Sequence, residues 1–204
     1  MSEARAEVVD EGDVLSESPR GWQSTQLGEV CEILDRHRIP LNSKQRAERK
    51  KNAKALYPYY GATGQVDVID DYLFEGEHVL IGEDGAPFFD RNKDTAYIAD
   101  GKFWVNNHAH IIRGLDGISN RFLCHQLNTV DYYGFVSGTT RLKLTQAALR
   151  ELPIRFPPLA EQKRIVSKID ELFSEIEAGE RALNRARAAL ARYRKSVLKA
   201  AVTG

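Results

Sequence analysis

The sequence predicts an α+β protein: one globular domain with a mainly antiparallel sheet and short helices, followed by one long C-terminal coiled-coil helix. Three observations predict it. Between residues 65 and 114 apolar and polar residues alternate in short runs separated by EDGA and ADGK, the period of half-covered strands punctuated by turns. From residue 165 onward the apolar positions recur every three and four residues instead, the period of a helix packed along another helix. A length of 204 residues holds one core of about 100 to 150 residues and an appendage, and is short for two ordinary domains.

In chain order, residues 1–19 are acidic, with Glu3, Glu7, Asp10, Glu11, Asp13 and Glu17, and are expected to form a disordered tail. The domain is expected over 20–156. GWQSTQLGEVCEIL supplies its first apolar contacts through Trp22, Leu27, Val30, Ile33 and Leu34, as a strand or short helix. RIPLNSKQRAERKKNAKALYPYYG reads as a loop and a short charged helix closed by Pro58. Strand runs follow in QVDVIDDYLF, EHVLIGEDGAPFF and TAYIADGKFWVNNHAHIIRG. SNRFLCHQLNTV reads as a helix with Phe122, Leu123, Leu127 and Val130 on one side. VSGTTRLKLTQAALRELPI reads as a Gly-containing loop, a short segment, and a helix capped by Thr145 and ended by Pro153.

The final segment, 157–204, is expected to be one long helix that pairs with a partner. Pro157 and Pro158 suit its entry, Glu161 its positive end, and Arg192, Arg194, Lys195 and Lys199 its negative end. Its seam is Ile165, Ile169, Leu172, Ile176, Gly179, Leu183, Ala186, Leu190, Tyr193 and Val197, continued by Ala200. A helix of that length runs roughly 60 Å at 1.5 Å per residue, longer than the domain is wide, so the seam needs apolar cover from a partner. Gly179 and Ala186 would let two antiparallel helices approach closely near their middle.

Lys and Arg number 29 and Asp and Glu 29, a formal charge of zero that conceals segregation. Once the acidic tail is set aside, Arg36, Arg38, Lys44, Arg46, Arg49, Lys50, Lys51 and Lys54 make one segment strongly basic. Cys31 and Cys124 read as reduced thiols. No run approaches the roughly 18 apolar residues a membrane span needs, and the N-terminus has no apolar signal segment, so a cytoplasmic chain without membrane contact is expected.

GWQSTQLGEVCEI, YPYYGATGQVDVIDDYLFEGEHVLIGEDGA, WVNNHAHII, SGTTRLKLT and LRELPIRFPPLAEQKRIVSKIDELF together resemble the specificity subunits of Type I restriction-modification enzymes, from about residue 20 to the C-terminus. The resemblance implies a DNA target-recognition domain and a helical spacer. In that family a full-length subunit carries two such units in tandem, each reading a few base pairs of a split target, with the spacer helices paired antiparallel. Methyltransferase subunits dock on that frame and move a methyl group from S-adenosylmethionine to an adenine amino nitrogen; restriction subunits can add cleavage. The present sequence has one unit, so it looks like a half-subunit that pairs with a second copy, dimerises through the antiparallel coil and reads an interrupted palindrome. The coil would act as a ruler for the gap between half-sites.

No cofactor is expected in this chain; S-adenosylmethionine belongs to the partner. A methyltransferase acting alone would need a Gly-rich cofactor loop and an Asn/Asp-Pro-Pro-aromatic element, and FPPL puts Phe156 where the amide or acid is required. GATG lacks the Lys and spacing of a P-loop. A nuclease reading could enlist Glu83, Asp84, Asp90 and Lys93, and a metal reading His108 and His110, but acids commonly shape turns and the histidines lack a convincing third ligand.

For DNA contact, Arg36, His37, Arg38 and Lys44 occupy a basic loop that could follow phosphates, while AERKK reads equally as a solvated helix face. Tyr60, beside Tyr59, could reach DNA or brace the sheet. Arg91 and Lys93 flank Asn92 in a polar turn, and Asn106, Asn107 and His108 form a polar patch. The favoured cluster is Ser137, Thr139, Thr140, Arg141 and Lys143, whose hydroxyls and cations suit phosphates or base edges, with Gly138 permitting close backbone approach. Two rivals stand beside this reading: a self-sufficient nuclease or methyltransferase, and a coiled-coil adaptor that binds only the methyltransferase.

Overall fold

The computed structural model describes Pro19 and residues 21–203; the acidic tail otherwise lies outside the described residues. The chain forms two compact units, one ending at Gln162 and one beginning at Lys163.

The first unit opens with β1 (Gln23–Gln26), α1 (Leu27–Val30) and β2 (Cys31–Ile33), so the opening segment is both strand and helix. Then come α2 (Ser43–Lys50), β3 (Tyr57–Gly61), β4 (Gly64–Ile69), β5 (Phe74–Glu75) and β6 (His78–Gly82). β7 (Ala96–Ala99), β8 (Lys102–Val105) and β9 (Ala109–Gly114) precede α3 (Asn120–Leu127). A short hairpin, β10 (Val136–Ser137) and β11 (Lys143–Leu144), leads to α4 (Gln146–Glu151) and β12 (Pro153–Phe156).

The mainly antiparallel pairing expected takes the form of two four-stranded sheets, ordered β2-β9-β6-β7 and β4-β3-β8-β5, beside the two-stranded pairs β1-β12 and β10-β11. Their pairings are antiparallel except β3 with β8, which runs parallel with Tyr59 opposite Trp104. Alternation along one strand reports which faces are covered and is silent about the direction of a neighbour far away in sequence. β6 occupies the interior of its sheet and is buried throughout. Val79 and Ile81 pack in one apolar cluster with Ile112, Leu123 and Leu127, while Leu80 joins Phe103, Val105 and Ile111 in another. A strand covered on both faces reads as a continuous apolar run, which is why HVLI does not alternate.

Local chemistry sets the helix ends. Thr145 accepts from Ala148 N–H and caps α4 as expected. Ser119 caps α3 in the same way, but α3 stops at Leu127, so Val130 lies beyond the helix that the apolar spacing gave it. There the Asn128 side chain accepts from Thr95 and Ala96 N–H and donates to Ala96 O, tying the helix end to β7. Pro58 does not close α2, which ends at Lys50; it sits in β3 opposite Val68.

α2 buries no residue and is held by charge. Arg46 and Lys50 both reach Asp67 of β4, at 2.8 and 2.6 Å, and Arg49 reaches Asp70 at 2.6 Å. The Arg46 and Lys50 hydrogen bonds hold the Asp67 carboxyl far below its ordinary value. AERKK thus divides between the two readings: Arg49 and Lys50 clip onto Asp70 and Asp67, while Ala47, Glu48 and Lys51 face solvent. Cys31 and Cys124 are buried free thiols, pushed up to about 12 by burial.

α5 (Leu159–Thr203) begins inside the first unit. Gln162 is fully buried, accepting from Ser119 N–H and donating to Gly117 O and Pro157 O, so the first turn of α5 is anchored in the first unit. In the second unit α5 is helical throughout, and every described side chain beyond residue 169 is exposed. The exposed seam includes Leu172, Ile176, Leu183 at 51%, Leu190 at 53%, Tyr193 and Val197. Among the described residues no helix is long and apolar enough to cross a membrane.

Candidate nucleic-acid interface

Three segments distant in sequence converge at the end of β6. Gly82 ends that strand, and a Cβ there would fall 2.2 Å from the Cβ of Ala86, so the chain can fold back immediately only as glycine. In the turn that results, Glu83 N–H donates to His108 O at 2.8 Å, fixing the approach to β9. The β10–β11 hairpin lands on the same turn. Gly85 N–H donates to Leu142 O at 2.9 Å, Leu144 N–H donates to Glu83 O at 2.8 Å, and Asp84 bridges Lys143 across an isolated antiparallel pairing. Ser137, Thr139, Thr140, Arg141 and Lys143 are all exposed on this hairpin, with His108 half-exposed beside it.

Gly138 turns the hairpin. Its φ is +97°, and an added Cβ would lie 2.4 Å from Arg141 O. Gly138→Ala is therefore expected to lower stability by about 1–3 kcal/mol, the usual range for strained backbone, and to weaken DNA binding through loss of hairpin order. Urea unfolding and duplex titration check both effects.

Charges around the turn are paired. Glu83 receives Arg38 Nη1 at 2.6 Å and Lys143 Nζ at 3.3 Å. Asp84 receives Arg141 Nε and lies 3.5 Å from His108 Nδ1. Beneath them Asp35 meets His110 Nδ1 at 2.5 Å, accepts from Ile111 N–H at 3.0 Å and lies 3.4 Å from Arg38 Nη2. Burial alone would raise the Asp35 carboxyl; the His110 hydrogen bond and the charges around it outweigh burial and hold it below its ordinary value.

Asp35, Glu83 and His110 bring one ligand atom each within 4.8 Å of one another. Their donors are already engaged: His110 uses Nδ1 on Asp35 and Nε2 on Leu144 O at 2.8 Å, and the Arg38 guanidinium serves both carboxylates. His108 precedes β9 and is half-exposed, while His110 is buried within that strand. Asp90 and Lys93 pair with each other at 3.0 Å within their own turn. The arrangement is a charge brace that fixes three backbone segments.

The other expected contacts separate. Arg36 is exposed, as is Lys44 on α2. Arg38 is partly buried and is committed to Glu83, Asp35 and Ala109 O, bracing the turn against β9. Tyr60 packs edge-on against Phe103 and tilted against Tyr97, both 5.7 Å between ring centres, and burial raises its hydroxyl; it braces the core. Asn106 and His108 line a cleft of about 590 Å³ with Leu41, Asn42 and Arg46. Arg91 and Lys93 line a different cleft of about 680 Å³, with Phe89 and Tyr132. Sequence reading missed Asp84 as the partner of Arg141, and Asn42 and Gln45 as lining; these pairings span tens of residues and leave no local pattern.

A mixed α+β domain that offers a hydroxyl- and arginine-bearing hairpin on a charge-paired turn, followed by a long helix with an exposed apolar stripe, defines a recognition module of the DNA-specificity kind. Residues 19–185 match the Type I restriction modification DNA specificity domain, and the chain belongs to that family. It is 40% identical over 146 residues to a Haemophilus influenzae protein assigned as the type I restriction enzyme specificity subunit S.HindORF215P, covering 72% of this chain and 36% of that one. It is 38% identical over 150 residues to the Escherichia coli EcoBI specificity subunit, covering 72% of this chain and 29% of that subunit. The chain thus spans about a third of the length of these curated relatives. The fold is shared with the crystal structure of the Mycoplasma genitalium Type I S subunit, at a TM-score of 0.59 and 16% identity, covering 76% of this chain and 40% of that one.

Proposed function

We propose that this chain is a non-catalytic sequence-reading half-subunit of a Type I restriction-modification system. It reads one half of a bipartite site in double-stranded DNA and docks an adenine-specific methyltransferase subunit that brings S-adenosylmethionine; a restriction subunit adds cleavage where one is present. Two copies pair antiparallel through the α5 seam, which spaces the two reading domains. The observation that carries the DNA half is the β10–β11 hairpin, where Ser137, Thr139, Thr140, Arg141 and Lys143 are presented together and exposed. The exposed stripe of α5 supports the pairing half, because leucines left in water gain about 1.5–3 kcal/mol each on burial. The chain contributes binding energy and geometry, and the methyl transfer occurs on its partner.

The test is titration of the full chain into duplex DNA with a methyltransferase subunit of the same system, followed by mapping of methylated adenines. A salt-sensitive complex and methylation at an interrupted palindrome are expected. Methyltransferase binding without any DNA affinity or altered methylation pattern would instead identify a protein-only adaptor.

A further inference from the structure

Within that surface one side chain is held unlike the others. Arg141 is 61% exposed, yet its guanidinium is fixed at two atoms. Its Nε pairs with the carboxylate of Asp84, and its Nη2 approaches His108 Nδ1 at 3.4 Å. It also lies across Gly85, where the backbone has φ +73° and an added Cβ would stand 3.6 Å from Arg141 Nε and 3.9 Å from its Cγ. Asp84 is itself well anchored: its side chain is only 22% exposed, and its backbone is bridged to Lys143.

Two kinds of ligand take an exposed arginine on a DNA-binding surface, and charge decides between them. A phosphate-binding cluster presents excess positive charge, because phosphate affinity is chiefly electrostatic. The cluster here has Asp35, Glu83 and Asp84 against Arg38, Arg141 and Lys143, three carboxylates against three basic groups before either histidine is counted. It offers little net attraction to a phosphate. What it offers is direction. Asp84 takes Nε and His108 engages one N–H of Nη2, which leaves Nη1 and the second N–H of Nη2 as a planar pair of donors whose orientation is set before DNA arrives. A guanine presents the matching pair of acceptors, N7 and O6, in the major groove. A donor pair held in place loses less side-chain entropy on binding than a free arginine would.

We infer that Arg141 reads a guanine in the half-site and that Asp84 is its positioning residue. This inference rests on the DNA-recognition reading and deepens it. Glu83, by contrast, draws in Arg38 and Lys143 to hold the turn together.

The test is selection of binding sites from a randomised duplex library by the full chain with its methyltransferase subunit present, repeated for Arg141→Ala, Arg141→Lys and Asp84→Asn. The unaltered chain is expected to select a half-site with one guanine whose replacement by another base weakens binding roughly 5- to 150-fold, the loss of about 1–3 kcal/mol for a bidentate base contact, and whose replacement by 7-deazaguanine, which lacks N7 but keeps O6, weakens it less. Arg141→Ala should lose the preference at that one position and keep the others. Arg141→Lys should not restore it, since lysine has no planar pair of donors. Asp84→Asn should relax the same position while leaving the salt slope unchanged, which a merely structural defect would not do. A selected motif unchanged in Arg141→Ala overturns the inference alone. Arg141→Ala that weakens all sequences equally and lowers the salt slope by about one makes Arg141 a phosphate contact and also overturns it. An unaltered chain that selects no sequence overturns the inference together with the DNA-recognition reading.

Discussion

Replacing Leu183 and Leu190 together by lysine is expected to yield a chain that sediments as a monomer at micromolar concentrations where the unaltered chain is a dimer. Both leucines lie on the heptad seam of α5, about half exposed at 51% and 53%. Burial of each is worth about 1.5–3 kcal/mol, and in a symmetric pair every substitution counts twice. The double replacement therefore removes roughly 6–12 kcal/mol of association, several powers of ten in Kd at about 1.4 kcal/mol per decade, before lysine repulsion is added. Far-UV circular dichroism should show that the globular unit keeps its structure. A wild-type chain that remains monomeric with and without the methyltransferase would refute the pairing.

Asp35→Ala is expected to have the largest effect on the domain itself. Its carboxylate holds His110 at 2.5 Å, the Ile111 N–H at 3.0 Å and Arg38 at 3.4 Å, in a site almost closed to water. Removing one partner of such a buried group costs about 3–5 kcal/mol, because the partners stay behind without compensation. Urea unfolding should show a large fall in midpoint. Asp90→Ala, which breaks an exposed pair with Lys93, should leave the midpoint near wild type. The sign of the pH dependence follows from Asp35. Its folded value lies below the ordinary 3.8, so its contribution is fully present above that and is lost as pH falls through the lowered folded value. Asp35→Ala should abolish that part of the acid sensitivity.

Much of the architecture was legible because it depends on neighbours in sequence. The strands between 65 and 114, the Thr145 cap and the long helix α5 all follow from local period and local chemistry. Features that depend on distant partners were not. The parallel pairing of β3 with β8, and the division into two sheets, are set by packing across tens of residues. The same holds at the site. Exposure of Ser137, Thr139, Thr140, Arg141 and Lys143 was foreseeable from a polar, glycine-bearing hairpin. Arg38 resembled Arg36 in sequence, yet one is partly buried between Glu83 and Asp35 while the other is exposed, because only the fold brings those carboxylates together. The basic segment 36–54 misled for the same reason: Asp67 and Asp70, which neutralise much of α2, arrive on a separate strand.

The unbroken run of α5 from Leu159 to Thr203 also makes its stripe sensitive to phase. One inserted residue lengthens the helix by only about 1.5 Å but turns everything after it by about 100° around the axis, sending the apolar positions before and after the insertion to different sides. Seven inserted residues add about 10.5 Å and bring the two sides nearly back into line. Natural length variation in this segment should therefore come in whole repeats, and a single extra residue should harm it more than seven.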